Sequence, residues 1–101
     1  MADWENLCLL SDIPAGERKL FPLGALDIIV FNIGKRLYAS AAECPLLGHN
    51  LLDADLQGHV ARCKEDGCKV DLADGRCVTE AEMSIPVFPV EVRDGSVWVK
   101  F

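Results

Sequence analysis

The chain has 101 residues and a formal net charge of −6, and 50% of its residues are hydrophobic. This length suits one domain, spanning residues 1–101, and this hydrophobic content excludes a disordered chain. The excess of acidic residues argues against a nucleic-acid partner, because phosphates attract Lys and Arg. No apolar run reaches the ~20 residues of a membrane helix, and the N-terminal segment has acids where a secretory leader has bases. We therefore expect a cytoplasmic protein with no membrane partner.

Alternating apolar and polar residues predict strands along the chain, beginning with residues 4–8 and 18–23. Pro22 places the second of these at a sheet edge or a bulge, because proline has no N–H to donate. The next hairpin joins residues 27–33 to residues 36–42 through Gly34-Lys35, and a leading glycine suits a type II′ turn. Both faces of residues 27–33 are apolar, which predicts a strand near the middle of the fold.

Shorter hairpins are predicted at residues 57–58 and 74–75. A clear hairpin closes the chain, with strands predicted at residues 87–93 and 96–101 on the two sides of Asp94-Gly95. The last hairpin aligns three apolar pairs on one face: Val92 with Val97, Val90 with Val99, and Phe88 with Phe101. Together these segments amount to eight or nine short strands. The predicted fold is therefore an all-β antiparallel sandwich or small barrel.

Five cysteines stand at positions 8, 44, 63, 68 and 77, and their odd number argues against a disulfide framework. Cys8 and Cys77 lie in apolar contexts and are expected to behave as small buried hydrophobes. Two loops, at residues 43–50 and 63–68, carry Cys44 and Cys63 near their starts, and one predicted hairpin separates them. Two thiolates brought together at one end of a β fold are typical of a soft-metal site.

Residues 44–48 read Cys-Pro-Leu-Leu-Gly, and residues 63–67 read Cys-Lys-Glu-Asp-Gly. The two loops that carry these residues resemble those of Rieske-type ferredoxins. They are similar to the two boxes of that family, Cys-x-His-x-Gly and Cys-x-x-His-Gly, except that Leu46 and Asp66 stand at the histidine positions. The residues after the second box and the closing hairpin are similar as well, so the resemblance covers nearly the whole chain.

The resemblance implies a Rieske-like fold with a [2Fe–2S] cluster, for which Cys44 and Cys63 occupy the family's cysteine ligand positions. It also implies a non-catalytic component of an oxidoreductase system, with a reductase or an oxygenase as protein partner. Related proteins are the ferredoxins of ring-hydroxylating dioxygenases and the nitrite reductase small subunit, in which the fold can persist without a cluster. Leu46 has no lone pair for iron, and Asp66 offers a harder oxygen ligand, so conventional histidine ligation is expected to be absent.

Three interpretations of the site stay open. In the first, the chain has kept the fold, lost the cluster and acts by docking to a partner protein. In the second, an altered zinc or iron site is formed by Cys44, Cys63, Cys68 and either Asp66 or His49. In the third, the chain is an apo or impaired [2Fe–2S] electron carrier whose histidines were replaced.

Overall fold

The computed structural model describes residues 4–24, 26–44, 48, 50–65, 67–80 and 82–100. This part of the chain contains ten strands and two short 3-10 turns, the latter at Leu10–Asp12 and Leu51–Asp53. The strands are β1 (Trp4–Leu9), β2 (Arg18–Leu23), β3 (Leu26–Ile33), β4 (Arg36–Ala41), β5 (Asp55–Gln57), β6 (Val60–Arg62), β7 (Lys69–Asp71), β8 (Val87–Phe88), β9 (Val90–Arg93) and β10 (Ser96–Lys100). None of the helical segments within the described ranges is long and apolar enough to cross a membrane.

The strands form three sheets, with the orders β1-β10-β9, β2-β3-β4-β8 and β5-β6-β7. Every pairing between neighbouring strands is antiparallel, so the predicted all-β antiparallel class is confirmed. β2 lies at an edge of the four-stranded sheet. Pro22 has no N–H, and at an edge this does not remove a hydrogen bond from the interior of the sheet. The edge position predicted from Pro22 is therefore correct.

β3 lies inside the four-stranded sheet and is buried on both of its faces. Successive side chains of a strand point to opposite faces, so its apolar residues are divided between two core clusters. Ile28 and Val30 pack in the cluster that also contains Val97 and Val99 of β10. Ile29 and Phe31 pack in the other cluster, which contains four of the cysteines: Cys44, Cys63, Cys68 and Cys77. The central position predicted for this strand is confirmed.

The strand count exceeds the predicted eight or nine because Pro89 divides the segment predicted as one strand at residues 87–93. Proline cannot donate to a sheet hydrogen bond, and the strands on its two sides, β8 and β9, belong to different sheets. The predicted pairs of Val92 with Val97 and of Val90 with Val99 are confirmed. Phe88 pairs instead with Ala39 of β4, and its predicted partner, Phe101, lies outside the described residues.

The hairpin between β3 and β4 has a different turn from the predicted one. Gly34 has a φ of 55° and Lys35 has a φ of 72°, so both central residues adopt positive φ. That is the pattern of a type I′ turn, and the predicted type II′ turn is wrong. Asp94 (φ 51°) and Gly95 (φ 76°) form the same kind of turn between β9 and β10. The type I′ turn is favoured because its twist matches the right-handed twist of the strands.

Candidate functional site

In each of the two cysteine loops, a backbone hydrogen bond joins the glycine to the cysteine four residues before it. The N–H of Gly48 donates to the carbonyl oxygen of Cys44 (3.0 Å), and the N–H of Gly67 donates to the carbonyl oxygen of Cys63 (2.9 Å). Both glycines have a φ of 74°, a conformation that a residue with a Cβ adopts only with strain. Each family box thus forms a turn that starts at its cysteine and ends at its glycine.

Backbone pairing closes the base of each of these two turns. The first turn follows β4, and an antiparallel bridge between Glu43 and Asn50 closes its base. The second turn connects β6 to β7, and the N–H of Cys63 donates to the carbonyl oxygen of Cys68 across its base (2.8 Å). Each turn is therefore anchored at both ends by backbone hydrogen bonds or bridge pairing.

The cysteines of both turns point into the core. Cys44 is 2% exposed, while Cys63, Cys68 and Cys77 are each 1% exposed, and all four belong to one core cluster. The Sγ atoms of Cys68 and Cys77 are 3.1 Å apart. Cys8, in contrast, is half-buried and packs against the other core cluster, which contains Val97 and Val99. The structure therefore brings together the three cysteines that were predicted as site residues, and it adds Cys77 to them.

Cys68 and Cys77 differ in acidity although they touch. Burial raises the pKa of Cys68, and hydrogen bonds with Cys77 and Cys44 raise it further. Burial also acts to raise the pKa of Cys77, but hydrogen bonds from the Thr79 hydroxyl, from Cys68 and from the Glu80 N–H together lower it. The Thr79 oxygen lies 3.2 Å from the Cys77 sulfur, and the Glu80 nitrogen lies 3.3 Å from it. Negative charge is thus better tolerated on Cys77 than on Cys68.

Charged side chains surround the entrance to the second turn. An open cavity of about 320 Å³ is lined by Cys63 together with Asn50, Asp53, Lys64 and Glu65. Lys64 lies 3.7 Å from Asp55, and both side chains are more than half exposed, so this ion pair contributes little to stability. Acidic side chains outnumber basic ones at this opening.

The remaining predicted site residues, Leu46, His49 and Asp66, lie outside the described residues. Within the described ranges, no group of three or more His, Cys, Asp or Glu residues is arranged to hold a metal ion. The proposed zinc or iron site that combines Cys44, Cys63 and Cys68 with Asp66 or His49 therefore stays a prediction.

The chemistry of the donor set can be compared with what a Rieske cluster requires. Such a cluster takes two thiolates on one iron and two imidazoles on the other. Cys44 and Cys63 would supply the thiolates. Leu46 has a hydrocarbon side chain with no donor atom, and Asp66 supplies only oxygen. By residue type, these four positions do not fit a histidine-ligated cluster.

Cys77 was expected only as a small buried hydrophobe. It is buried, as predicted, but it also contacts Cys68 and the polar groups of residues 79 and 80. The only signal in the sequence is the predicted turn at residues 74–75, which lies between Cys68 and Cys77 and allows the two flanking segments to meet. The chain does fold back there, with an antiparallel bridge between Val70 and Cys77.

Comparisons with known proteins agree with this geometry. A family model described as "Rieske-like [2Fe-2S] domain" matches residues 3–100. Ferredoxin CarAc of Metapseudomonas resinovorans is 29% identical to the chain over 98 residues, which are 95% of this chain and 92% of that protein. These matches confirm the resemblance that the two cysteine boxes predicted.

Solved structures share the fold over almost the whole chain. One is a chain in the complex of reduced oxygenase and oxidized ferredoxin in carbazole 1,9a-dioxygenase, with a TM-score of 0.86 and 28% identity. That match covers 95% of this chain and 91% of the other. Another is a putative NADH-dependent nitrite reductase small subunit from Mycobacterium tuberculosis, with a TM-score of 0.87 and 19% identity. It covers 100% of this chain and 96% of the other, and it shows a shared fold alone.

Proposed function

Because the chain belongs to the Rieske-like [2Fe-2S] domain family, we propose that it is a ferredoxin-type component of an oxygenase system. We propose that it docks to its partner protein through the end of the fold that carries the two cysteine turns. The names of its relatives support the oxygenase class, since Ferredoxin CarAc and the chain from the carbazole 1,9a-dioxygenase complex are both more than a quarter identical to it. We place the protein in the cytoplasm, where thiols such as its five cysteines stay reduced.

One observation carries the proposal: both cysteine turns keep the same hydrogen-bonded geometry, although the residues between cysteine and glycine differ. The two retained turns therefore support a docking surface at this end of the fold.

The charges at this end suit a basic partner. Asp53 and Glu65 are exposed beside the second turn, and the whole chain carries a net charge of −6. Complementary charge raises the rate at which two proteins meet and selects their relative orientation. We infer that the partner presents Lys and Arg around the position where the cysteine turns dock.

We propose further that no histidine-ligated cluster forms in this chain, so that it acts by docking. The proposal rests on residue type: leucine cannot ligate iron in any protonation state, and the aspartate carboxylate is a harder ligand than imidazole. With Leu46 and Asp66 at these positions, the second iron of the cluster would have at most one protein ligand. Cys44 and Cys63 would then serve the packing of the two turns.

An altered soft-metal site is the second candidate function, and one observation favours it. Cys44, Cys63 and Cys68 are all buried in a single core cluster, although these three described residues do not by themselves form a group that could hold a metal ion. Asp66 or His49 would supply a fourth ligand to a zinc or iron ion. Zinc would give a colourless protein with stoichiometric metal, whereas the docking proposal expects no bound metal.

Docking can be tested by competition. We expect the chain to slow the reduction of the carbazole 1,9a-dioxygenase oxygenase by its own ferredoxin, because both proteins would occupy one site. Rapid-mixing spectroscopy measures this rate. Asp53→Lys should weaken the inhibition several-fold, and more strongly at low salt, because it opposes the charge of the docking end.

Glu5→Lys is the matched control for this experiment. It makes the same change of charge on an exposed residue of β1, in a different sheet from the cysteine turns, and it should leave the inhibition unchanged. Equal effects of the two variants would show that the net charge of the chain alone sets the inhibition. That result would contradict a docking site at the turns. Absence of inhibition by the unmodified chain would contradict the oxygenase class of partner.

A further inference from the structure

Cys68 and Cys77 form a close pair of buried sulfur atoms. Their Sγ atoms are 3.1 Å apart, and each side chain is 1% exposed. The backbones on both sides are held together, since Val70 and Cys77 form a bridge and the Val78 N–H donates to the Lys69 carbonyl oxygen (2.7 Å). A disulfide has a sulfur–sulfur distance of about 2.05 Å, so bond formation needs a movement of only about 1 Å.

The two sulfurs have different surroundings, which assigns them different roles. The Cys77 sulfur accepts from the Glu80 N–H (3.3 Å) and lies 3.2 Å from the Thr79 hydroxyl oxygen, and the backbone donor stabilises charge that develops on this sulfur. The Thr79 hydroxyl is itself held in place, since its oxygen accepts from the Lys69 N–H (3.4 Å). Cys68 lies in the same core cluster as Cys77 and contacts both Cys77 and Cys44. Cys77 is therefore the attacking sulfur, and Cys68 is the sulfur that attacks second.

Cys77 is buried, but the three residues that follow it, Val78, Thr79 and Glu80, are all exposed, and Val78 is 58% exposed although it is apolar. The sulfur is hydrogen-bonded to two residues of this segment. Displacement of residues 78–80 would open the sulfur to a molecule of the size of hydrogen peroxide.

We propose that Cys68 and Cys77 are a reversible dithiol–disulfide pair that hydroperoxides oxidise. In the first step the Cys77 sulfur attacks hydrogen peroxide, the O–O bond breaks, and the Cys77 proton leaves with the departing oxygen as water. In the second step the Cys68 sulfur attacks the Cys77 sulfenic acid, the S–S bond forms, the S–O bond breaks, and a second water leaves. Two thiols are oxidised by two electrons, and one peroxide is reduced to two waters. A dithiol reductant exchanges with the disulfide, restores both thiols and is itself oxidised to a disulfide.

The pair is placed to act on the second cysteine turn. Cys68 directly follows that turn, and its carbonyl oxygen accepts from the N–H of Cys63. A bond from Cys68 to Cys77 would tie the base of the turn to the segment at residues 77–80. Oxidation would then restrain the second turn, whatever is bound there, so the inference does not depend on a cluster.

The test is peptide mapping of the full chain after treatment with hydrogen peroxide, with remaining thiols blocked. Cleavage after Lys and Arg puts each of the five cysteines in a separate peptide, so every possible disulfide gives a distinct mass. The expected product joins the peptide of residues 65–69 to the peptide of residues 77–93, and dithiothreitol removes it. Cys8→Ser should give the same product, because Cys8 packs in the other core cluster.

Cys68→Ser separates the two steps. In this variant we expect Cys77 to stop at the sulfenic acid, which dimedone traps on the peptide of residues 77–93. A wild-type chain in which both cysteines stay reduced while peroxide is consumed would overturn the inference. A disulfide that joins Cys44 to Cys63 or to Cys68 in place of this pair would overturn it as well.

Discussion

Gly75→Ala is expected to lower the free energy of unfolding by about 4 kcal/mol, which is large against the ~5–15 kcal/mol of a typical domain. Gly75 is buried, and a Cβ added there would overlap the carbonyl oxygen of Ile85 and press against Val87. Neither neighbour can move freely, since the Ile85 N–H donates to the Gly75 carbonyl oxygen (2.8 Å) and Val87 pairs with Ser40 of β4. Chemical denaturation followed by circular dichroism measures the change.

Gly95→Ala is the matched control for this prediction. Gly95 has a φ of 76°, close to the 80° of Gly75, but a Cβ added there meets no atom within 4 Å. Its substitution should therefore cost only the backbone strain of positive φ, about 1 kcal/mol. Equal losses for the two variants would show that strain, rather than contact with Ile85, decides the effect at Gly75.

The double change Leu46→His and Asp66→His is expected to convert the chain into a cluster-binding protein. The two cysteine turns keep the family's cysteine and glycine positions, with each glycine N–H bonded to the carbonyl oxygen of its cysteine, and the substitutions supply the two imidazoles that the donor set lacks. After anaerobic assembly with iron and sulfide, we expect about two iron ions and about two acid-labile sulfides per chain. Iron and sulfide analysis, with visible absorption, measures the result.

Addition of Cys63→Ser to this double variant should abolish the cluster, because one thiolate ligand is removed. Cys8→Ser in the same background should leave it intact, since Cys8 lies in the other core cluster. If the double variant takes up no cluster while it stays folded, the turns themselves must have diverged from the family geometry.

Local patterns predicted much of the fold because the interactions that decide it join residues that are close together in the sequence. The Asp94-Gly95 turn and the alternation on both sides of it predicted the pairing of Val92 with Val97. Apolar residues on both faces of β3 predicted its burial between two core clusters. In each case the residues that decide the structure are adjacent or lie across one tight turn.

Predictions were less accurate where one local pattern fits two types of turn, or where the deciding contacts join residues that are far apart in the sequence. Lysine rarely adopts positive φ, so the type I′ turn at Gly34-Lys35 could not be read from a leading glycine. Pro89 is visible in the sequence, but the transfer of Phe88 to the sheet of β4 depends on packing. The contact of Cys68 with Cys77 depends on the register of two segments around a turn, which no residue type specifies.

The central claim is that this Rieske-like chain forms no histidine-ligated cluster, and iron and acid-labile sulfide content tests it most directly. The measurement is made on the unmodified chain after anaerobic assembly with iron and sulfide, alongside its visible spectrum. We expect substoichiometric iron and no spectrum of a histidine-ligated [2Fe–2S] centre. About two irons and two sulfides per chain, with that spectrum, would contradict the claim.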